Sequence, residues 1–169
     1  MLANSLRVFP KPNPDRVERY AQIGYAMYLL SQSPQARHRQ THYANAVLTP
    51  AIAHQKISFY FDEDGAPAAF LVWASLAPDV EERIFTRSKL ELHFSEWNEG
   101  DSLWVLDLVA PFGHLKHVLQ NARDVLFRHE PRVRFLRLVG ASGRVVEIER
   151  SKLLGCLREV SAGPVAAEE

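Results

Sequence analysis

A chain of 169 residues with 47% hydrophobic and 24% charged content has the size and composition of one soluble globular domain. Twenty Lys and Arg balance twenty Asp and Glu, so net charge gives no support to nonspecific nucleic-acid binding. A single cysteine, Cys156, excludes an internal disulfide and a multi-cysteine zinc site.

Residues 1–13 contain no apolar run long enough for a signal peptide or a membrane span, and their prolines predict an extended arm. With no export signal and no disulfide, the expected compartment is the cytoplasm. Pro14 and Asp15 suit the first turn of a helix, proline for its fixed φ and the acid for the helix dipole. Val17, Tyr20, Ala21, Gly24, Met27, Tyr28 and Leu30 recur at helical spacing up to the break at Ser33-Pro34. A second helix is expected from about Arg37 to Val47, bounded by Pro50.

The periodicity then changes. Ile57 to Phe61 and Ala68 to Ala74 read as strands joined by a turn through Asp62 to Gly65, a hairpin. Asp79 to Thr86 is expected to be helical, and residues 89–100 carry no clear pattern. Leu103 to Ala110 (LWVLDLVA) is apolar on both faces except at Asp107, as in a central buried strand. Pro111-Phe112-Gly113 turns the chain into a helix with Leu115, Val118, Leu119, Ala122, Val125 and Leu126 on one stripe. Val133 to Val139 and Val145 to Ile148 read as two further strands, followed by a short helix near Lys152 and a frayed tail over 161–169. This order of elements predicts a single α/β domain over 14–160 with a mixed sheet.

Asp107 is the sharpest chemical signal. An ionised carboxylate in an apolar strand is costly unless something pairs with it. Strict alternation places it on one face with Leu103, Val105 and Val109. It reads either as a structural carboxylate held by an arginine or backbone amides, or as one that orients a base or stabilises positive charge. Among seven histidines, His38 and His42 are four apart and share a face if helical. No third ligand accompanies them, so no metal is expected. Gly113-His114 opens a helix straight after the strand, where free backbone amides can hold a phosphate.

The segment Gly100 to Gly113, GDSLWVLDLVAPFG, resembles the most distinctive block of the hemolysin-C-type toxin-activating lysine acyltransferases of bacteria. Gly100, Asp101, Trp104, Asp107 and Ala110-Pro111-Phe112 stand at the family's spacing. Val72 to Leu76, Pro50-Ala51-Ile52 and Ser33-Pro34 match upstream, so the likeness runs collinearly from about residue 20 to 150. The resemblance implies a fold like that of the GNAT N-acetyltransferases, with a mixed, mostly antiparallel central sheet flanked by helices. It also implies fatty acyl transfer from acyl carrier protein, with no permanently bound cofactor, to lysines of an RTX-type protoxin. Family members are often dimeric, which makes a homodimer an expectation to test.

The resemblance implies a histidine–aspartate pair, and the aspartate maps onto Asp107. The family's histidine position, two residues after the proline, is Ala36 here, with His38-Arg39 two residues later. Three alternatives stay open: His38 is the base displaced by a local insertion, His42 replaces it, or the base is lost. Ser33 matches a serine important in the family, although a helix-terminating Ser-Pro would look the same. By the same likeness Val109 and Ala110 would line the donor's pantetheine arm, and Gly113-His114 would face its phosphate. In such a mechanism a histidine takes the amine proton and the carboxylate fixes its tautomer. Lys116, Arg123, Arg128, Arg132 and Arg134 are candidates for a basic patch that meets the acidic carrier protein. Two rivals keep the fold: an amine acyltransferase with a different acceptor, and a non-catalytic homologue that only binds carrier protein or protoxin. APFGHLK carries one glycine, which argues against tight coenzyme A pyrophosphate binding.

Overall fold

The computed structural model describes residues 14–34, 42–87, 90–139 and 142–156; the expected N-terminal arm, His38, the C-terminal tail and residues 37–41 of the expected 37–47 helix lie outside them. Helix α1 (Pro14–Gln32) starts and stops where the proline and the Ser33-Pro34 break place it. Its buried face takes up only part of the periodic set, Leu30 and, partly, Met27. Ala26, Leu29 and Leu30 are buried, whereas Val17, Tyr20 and Tyr28 are exposed. Apolar residues surround this helix, so periodicity alone offers two stripes. The sheet takes the compact aliphatic one and leaves the tyrosine hydroxyls in water.

A π-helical turn (Ala44–Leu48) leads directly into the short helix α2 (Thr49–Ala53), so Pro50 does not end the helix. It occupies the first turn of α2, where a missing N–H costs little. The Thr49 hydroxyl donates to the Ala44 carbonyl at 2.9 Å and secures the junction. Strands β1 (Ile57–Phe61) and β2 (Pro67–Leu76) form the expected hairpin. Its turn is closed by Asp62, whose Oδ1 accepts from the Asp64 and Ala66 amides, and by Gly65 at φ +79°. Helix α3 (Pro78–Arg87) and a 3-10 turn (Phe94–Trp97) lead to β3 (Ser102–Val109). Then follow α4 (Leu115–Asn121) with a π-helical continuation (Ala122–Leu126), β4 (Arg132–Val139), β5 (Ser142–Glu149) and a closing 3-10 stretch (Arg150–Cys156).

The sheet runs β1-β2-β3-β4-β5 and is antiparallel except between β3 and β4, as expected of a mixed, mostly antiparallel sheet. Helices α1, α2 and α3 cover one face through Phe70, Val72, Ala74, Leu76 and Trp104. Helix α4 and the closing stretch cover the other through Ala69, Leu71, Leu103 and Val133. Tyr60 reaches from β1 to Asn121 on α4 at 3.0 Å, and burial pushes its phenol up to about 12.

Part of the distinctive 100–113 segment is architectural. A Cβ at Gly100 would sit 2.0 Å from the Leu76 carbonyl oxygen, so only glycine fits beside β2. The Trp104 indole donates to Glu81 at 2.6 Å, and the same carboxylate accepts from Ser102 at 2.5 Å and Arg134 at 3.0 Å. That cluster pins α3 across the strands and needs no substrate.

Candidate functional site

Strand β3 is central, and its pairing decides where Asp107 points. Asp107 lies opposite Val72, but Val105 lies opposite Trp73, so Leu106 is an extra residue on β3. Such a bulge reverses the alternation of side chains beyond it. Opposed residues of an antiparallel pair share a face. Asp107 therefore keeps Val109 as a face neighbour but turns away from Leu103 and Val105. It lies on the Val72 side, under the helices that precede the hairpin. Strict alternation cannot foresee this.

On that side the Tyr43 phenol donates to Asp107 Oδ2. The Leu108 amide donates to Oδ1 at 2.9 Å. Among the described residues, a tyrosine and a backbone amide supply bonding that a carboxylate in an apolar strand requires. Tyr43 is the partner of Asp107 that sequence reasoning missed. Nothing local marks it, because its partner lies 64 residues away.

The bulge coincides with a parting of strands. β3 and β4 pair only at Trp104 with Arg134 and Val105 with Phe135, although both continue for several residues. From this opening a cavity of about 330 Å³ extends beneath α4. Asp107 lines it together with Leu106, Leu108, Leu115 and Leu136. Asp107 thus borders an apolar space at the middle of the sheet, while its half-buried carboxylate turns to Tyr43 on the side of the preceding helices. That combination can hold a positive or proton-carrying group beside an apolar substrate.

The remaining expected residues are more scattered. Ser33 is buried just beyond α1, its amide bonded to the Leu30 carbonyl at 3.2 Å. His42 is exposed and immediately precedes Tyr43. Val109 is buried in the core on the α1 side, and Ala110 packs on the α4 side. Gly113 adopts φ +86°, which only glycine takes readily, and His114 precedes the first turn of α4. None of Val109, Ala110, Gly113 or His114 is among the described residues lining the 330 Å³ cavity. The expected basic patch is largely neutralised: Arg123 pairs with Asp124, Arg132 with Glu147, and Arg134 with Glu81 and Glu147. Lys116 and Arg128 are exposed.

Comparison with known proteins bears on this site. The model of the RTX toxin acyltransferase family matches residues 15–152. The leukotoxin-activating lysine-acyltransferase LtxC of Aggregatibacter actinomycetemcomitans is 30% identical over 118 residues, covering 68% of this chain and 69% of the relative. The lysine-acyltransferase RtxC of Vibrio cholerae is 29% identical over 106 residues, covering 62% of this chain and 68% of the relative. Both stretches are long, and the family match contains Tyr43, Asp107 and the described cavity-lining residues other than Leu153.

Proposed function

The chain belongs to the RTX toxin acyltransferase family, and from that membership we propose that it transfers a fatty acyl group from acyl carrier protein to lysine side chains of an RTX-type protoxin. The single observation that carries this reading is Asp107, a cavity-lining residue where β3 and β4 part, whose carboxylate accepts from Tyr43.

The chemistry follows from that placement. A lysine amine attacks the thioester carbonyl, the C–N bond forms and the C–S bond breaks. The pantetheine thiolate leaves with a proton, and the attacking nitrogen loses one. Asp107 sits where a positive charge develops on the nitrogen or on a histidine that takes its proton. Tyr43 fixes one oxygen of the carboxylate, which lowers the reorganisation needed during the reaction. His38 is the proposed base, by its likeness to the family's Ser-Pro-x-His element. Cytoplasmic action on the protoxin is part of the same reading; among the described residues no helix is long and apolar enough to cross a membrane.

Exposed Lys116 and Arg128 are the proposed contacts for the acidic carrier protein. The deciding experiment incubates the protein with acyl carrier protein loaded with fatty acyl chains and a protoxin encoded nearby, then maps lysine mass shifts. Lysine acylation that disappears in Asp107→Asn supports the reading. Transfer from free acyl-coenzyme A in preference to the carrier protein contradicts the proposed donor. Binding of both partners without transfer would favour a non-catalytic homologue.

A further inference from the structure

Acyl transfer to a protoxin consumes lysines of another protein, and one lysine of this chain is held in an unusual way. Lys56 immediately precedes β1, the edge strand of the sheet. Its amide donates to the Ala51 carbonyl at 2.7 Å, and its carbonyl accepts from the Trp73 amide at 3.0 Å. Gln55 before it adopts φ 55°, a left-handed conformation uncommon for a residue with a side chain. That turn brings the chain out of α2 and sets the half-buried Lys56 against β2. There its Nζ donates to Ser75 Oγ at 3.0 Å.

An ammonium taken partly out of water is normally matched by a carboxylate. Arg83, Arg123, Arg132, Arg134 and Lys152 are matched in this way. Lys56 forms no ion pair among the described residues, and its bond goes to a neutral hydroxyl. Burial pushes its amine below the ordinary 10.5, and the charge of Glu130 opposes this only in part. A hydroxyl partner serves both protonation states, because it accepts from an ammonium and donates to the lone pair of a free amine. It also serves an acylated nitrogen, whose remaining N–H can still donate to Ser75 Oγ. A carboxylate in its place would lose its cation on the same modification.

We propose that Lys56, held by Ser75, is an acyl acceptor on this protein itself, a modification site for acyl groups carried as thioesters. The proposal rests on the acyl-transfer reading for its donor. The Nζ lone pair attacks the thioester carbonyl, the C–N bond forms and the C–S bond breaks. The departing thiolate takes the proton that the nitrogen loses, so an amide and a free thiol are the products. An ammonium has no lone pair to attack with, so a lysine kept from a carboxylate and partly out of water is the suited one. Lys116 and Lys152 are exposed, and the Lys152 ammonium is bonded to Glu149 at 3.1 Å.

The test begins with the wild-type full chain and needs no turnover. Trace acetic anhydride labels it across a pH series, and peptide mapping reads the label on Lys56. Half-maximal reaction should fall below 10.5. Ser75→Asp sets a carboxylate beside Nζ and should shift that point upward, whereas Glu130→Gln should shift it downward. Labelling at the ordinary lysine value in the wild type, or a Lys56 shielded at every pH, overturns the assignment. The chain is then incubated with carrier protein loaded with hexadecanoyl thioester. A hydroxylamine-resistant adduct should form on Lys56 in excess of Lys116 and Lys152. Lys56→Arg should lose it and still acylate protoxin at the wild-type rate. Persistence of the adduct in Asp107→Asn identifies direct attack on the donor; its loss identifies the Asp107 site of another copy, and either keeps Lys56 as acceptor. Protoxin acylation with Lys56 unmodified overturns this proposal and leaves the acyl-transfer reading standing. A Lys56 adduct without protoxin acylation does the reverse, and acylation of neither overturns both.

Discussion

Tyr43 and Asp107 lie 64 residues apart in the chain and are joined by a hydrogen bond from the phenol to the carboxylate. The π-helical segment before α2 delivers the phenol, and the bulge at Leu106 turns the carboxylate toward it. The Leu108 amide holds the second oxygen at 2.9 Å. A carboxylate with both oxygens engaged has a defined orientation, which a proton-handling or charge-stabilising group needs.

Asp107→Asn should abolish most acyl transfer, by roughly a hundredfold or more, the scale of a lost acid–base or electrostatic partner. The side chain is only half-buried and its replacement nearly isosteric, so cooperative melting should persist. Lysine mass shifts on the protoxin measure the first effect and circular dichroism the second. Wild-type transfer rates in the variant would remove Asp107 from the mechanism.

Tyr43→Phe should lower kcat more than it raises KM, because it removes one bond to the carboxylate without touching the cavity. A hydrogen bond to a charged group contributes about 1.5–3 kcal/mol, so a loss of roughly tenfold to a hundredfold is expected. An unchanged kcat would reduce Tyr43 to a packing residue.

His38→Ala should lower transfer by about a hundredfold or more, while His42→Ala should have a small effect. The pair is compared under single-turnover conditions with loaded carrier protein. Should His42→Ala alone abolish transfer, the base has moved to the residue beside Tyr43. Two fully active variants would end the histidine mechanism.

Gly100→Ala should destabilise the fold, since the added methyl would lie 2.0 Å from the Leu76 carbonyl oxygen and the strands cannot separate cheaply. A loss of about 1–3 kcal/mol or more is the usual scale of overpacking. Chemical denaturation reads it directly. A neutral Gly100→Ala would show that β2 and the 94–100 segment adjust more freely than their hydrogen bond from Gly100 to Ser75 suggests.

Acid sensitivity should come partly from Glu96. The Arg83 guanidinium, bonded at 2.6 Å, chiefly lowers the Glu96 carboxyl from 4.5 to about 2; desolvation opposes this and the His93 amide adds to it. A carboxylate with a depressed folded-state value stabilises the protein fully above its unfolded value and loses that contribution as pH falls through the folded one. The window is therefore from about 4.5 down to about 2. Glu96→Gln should flatten the stability profile across that window and lower stability at neutral pH. An unchanged acid limb would show that the ion pair is screened out in solution.

Much of this protein is legible in its sequence for local reasons. The hairpin and the apolar strand with one acid follow from periodicity and turn residues a few positions apart, and the structure has them where expected; the α4 stripe buries Val118, Leu119 and Ala122 but leaves Val125 exposed in the π-helical turn. The Gly100-to-Gly113 block likewise carries the family, since its spacing is a property of contiguous chain. The structure adds that Gly100 and Trp104 serve β2 and Glu81, so the block mixes scaffold with site.

Tertiary structure decided the rest, for non-local reasons. Which apolar stripe of α1 is buried depends on the surface offered by the sheet, and that surface took Ala26, Leu29 and Leu30 over the tyrosines. Asp107 faces away from Val105 because a single extra residue, Leu106, changes the register with β2. Two arginines of the expected basic patch, Arg132 and Arg134, are spent on Glu147 and Glu81, partners that become neighbours through strand pairing and α3 packing. The carboxylate's tyrosine partner and the cavity beneath α4 arise in the same way. Sequence periodicity reports what each element prefers alone; register, ion pairing and cavity shape are settled only when elements 20 to 60 residues apart compete for the same contacts.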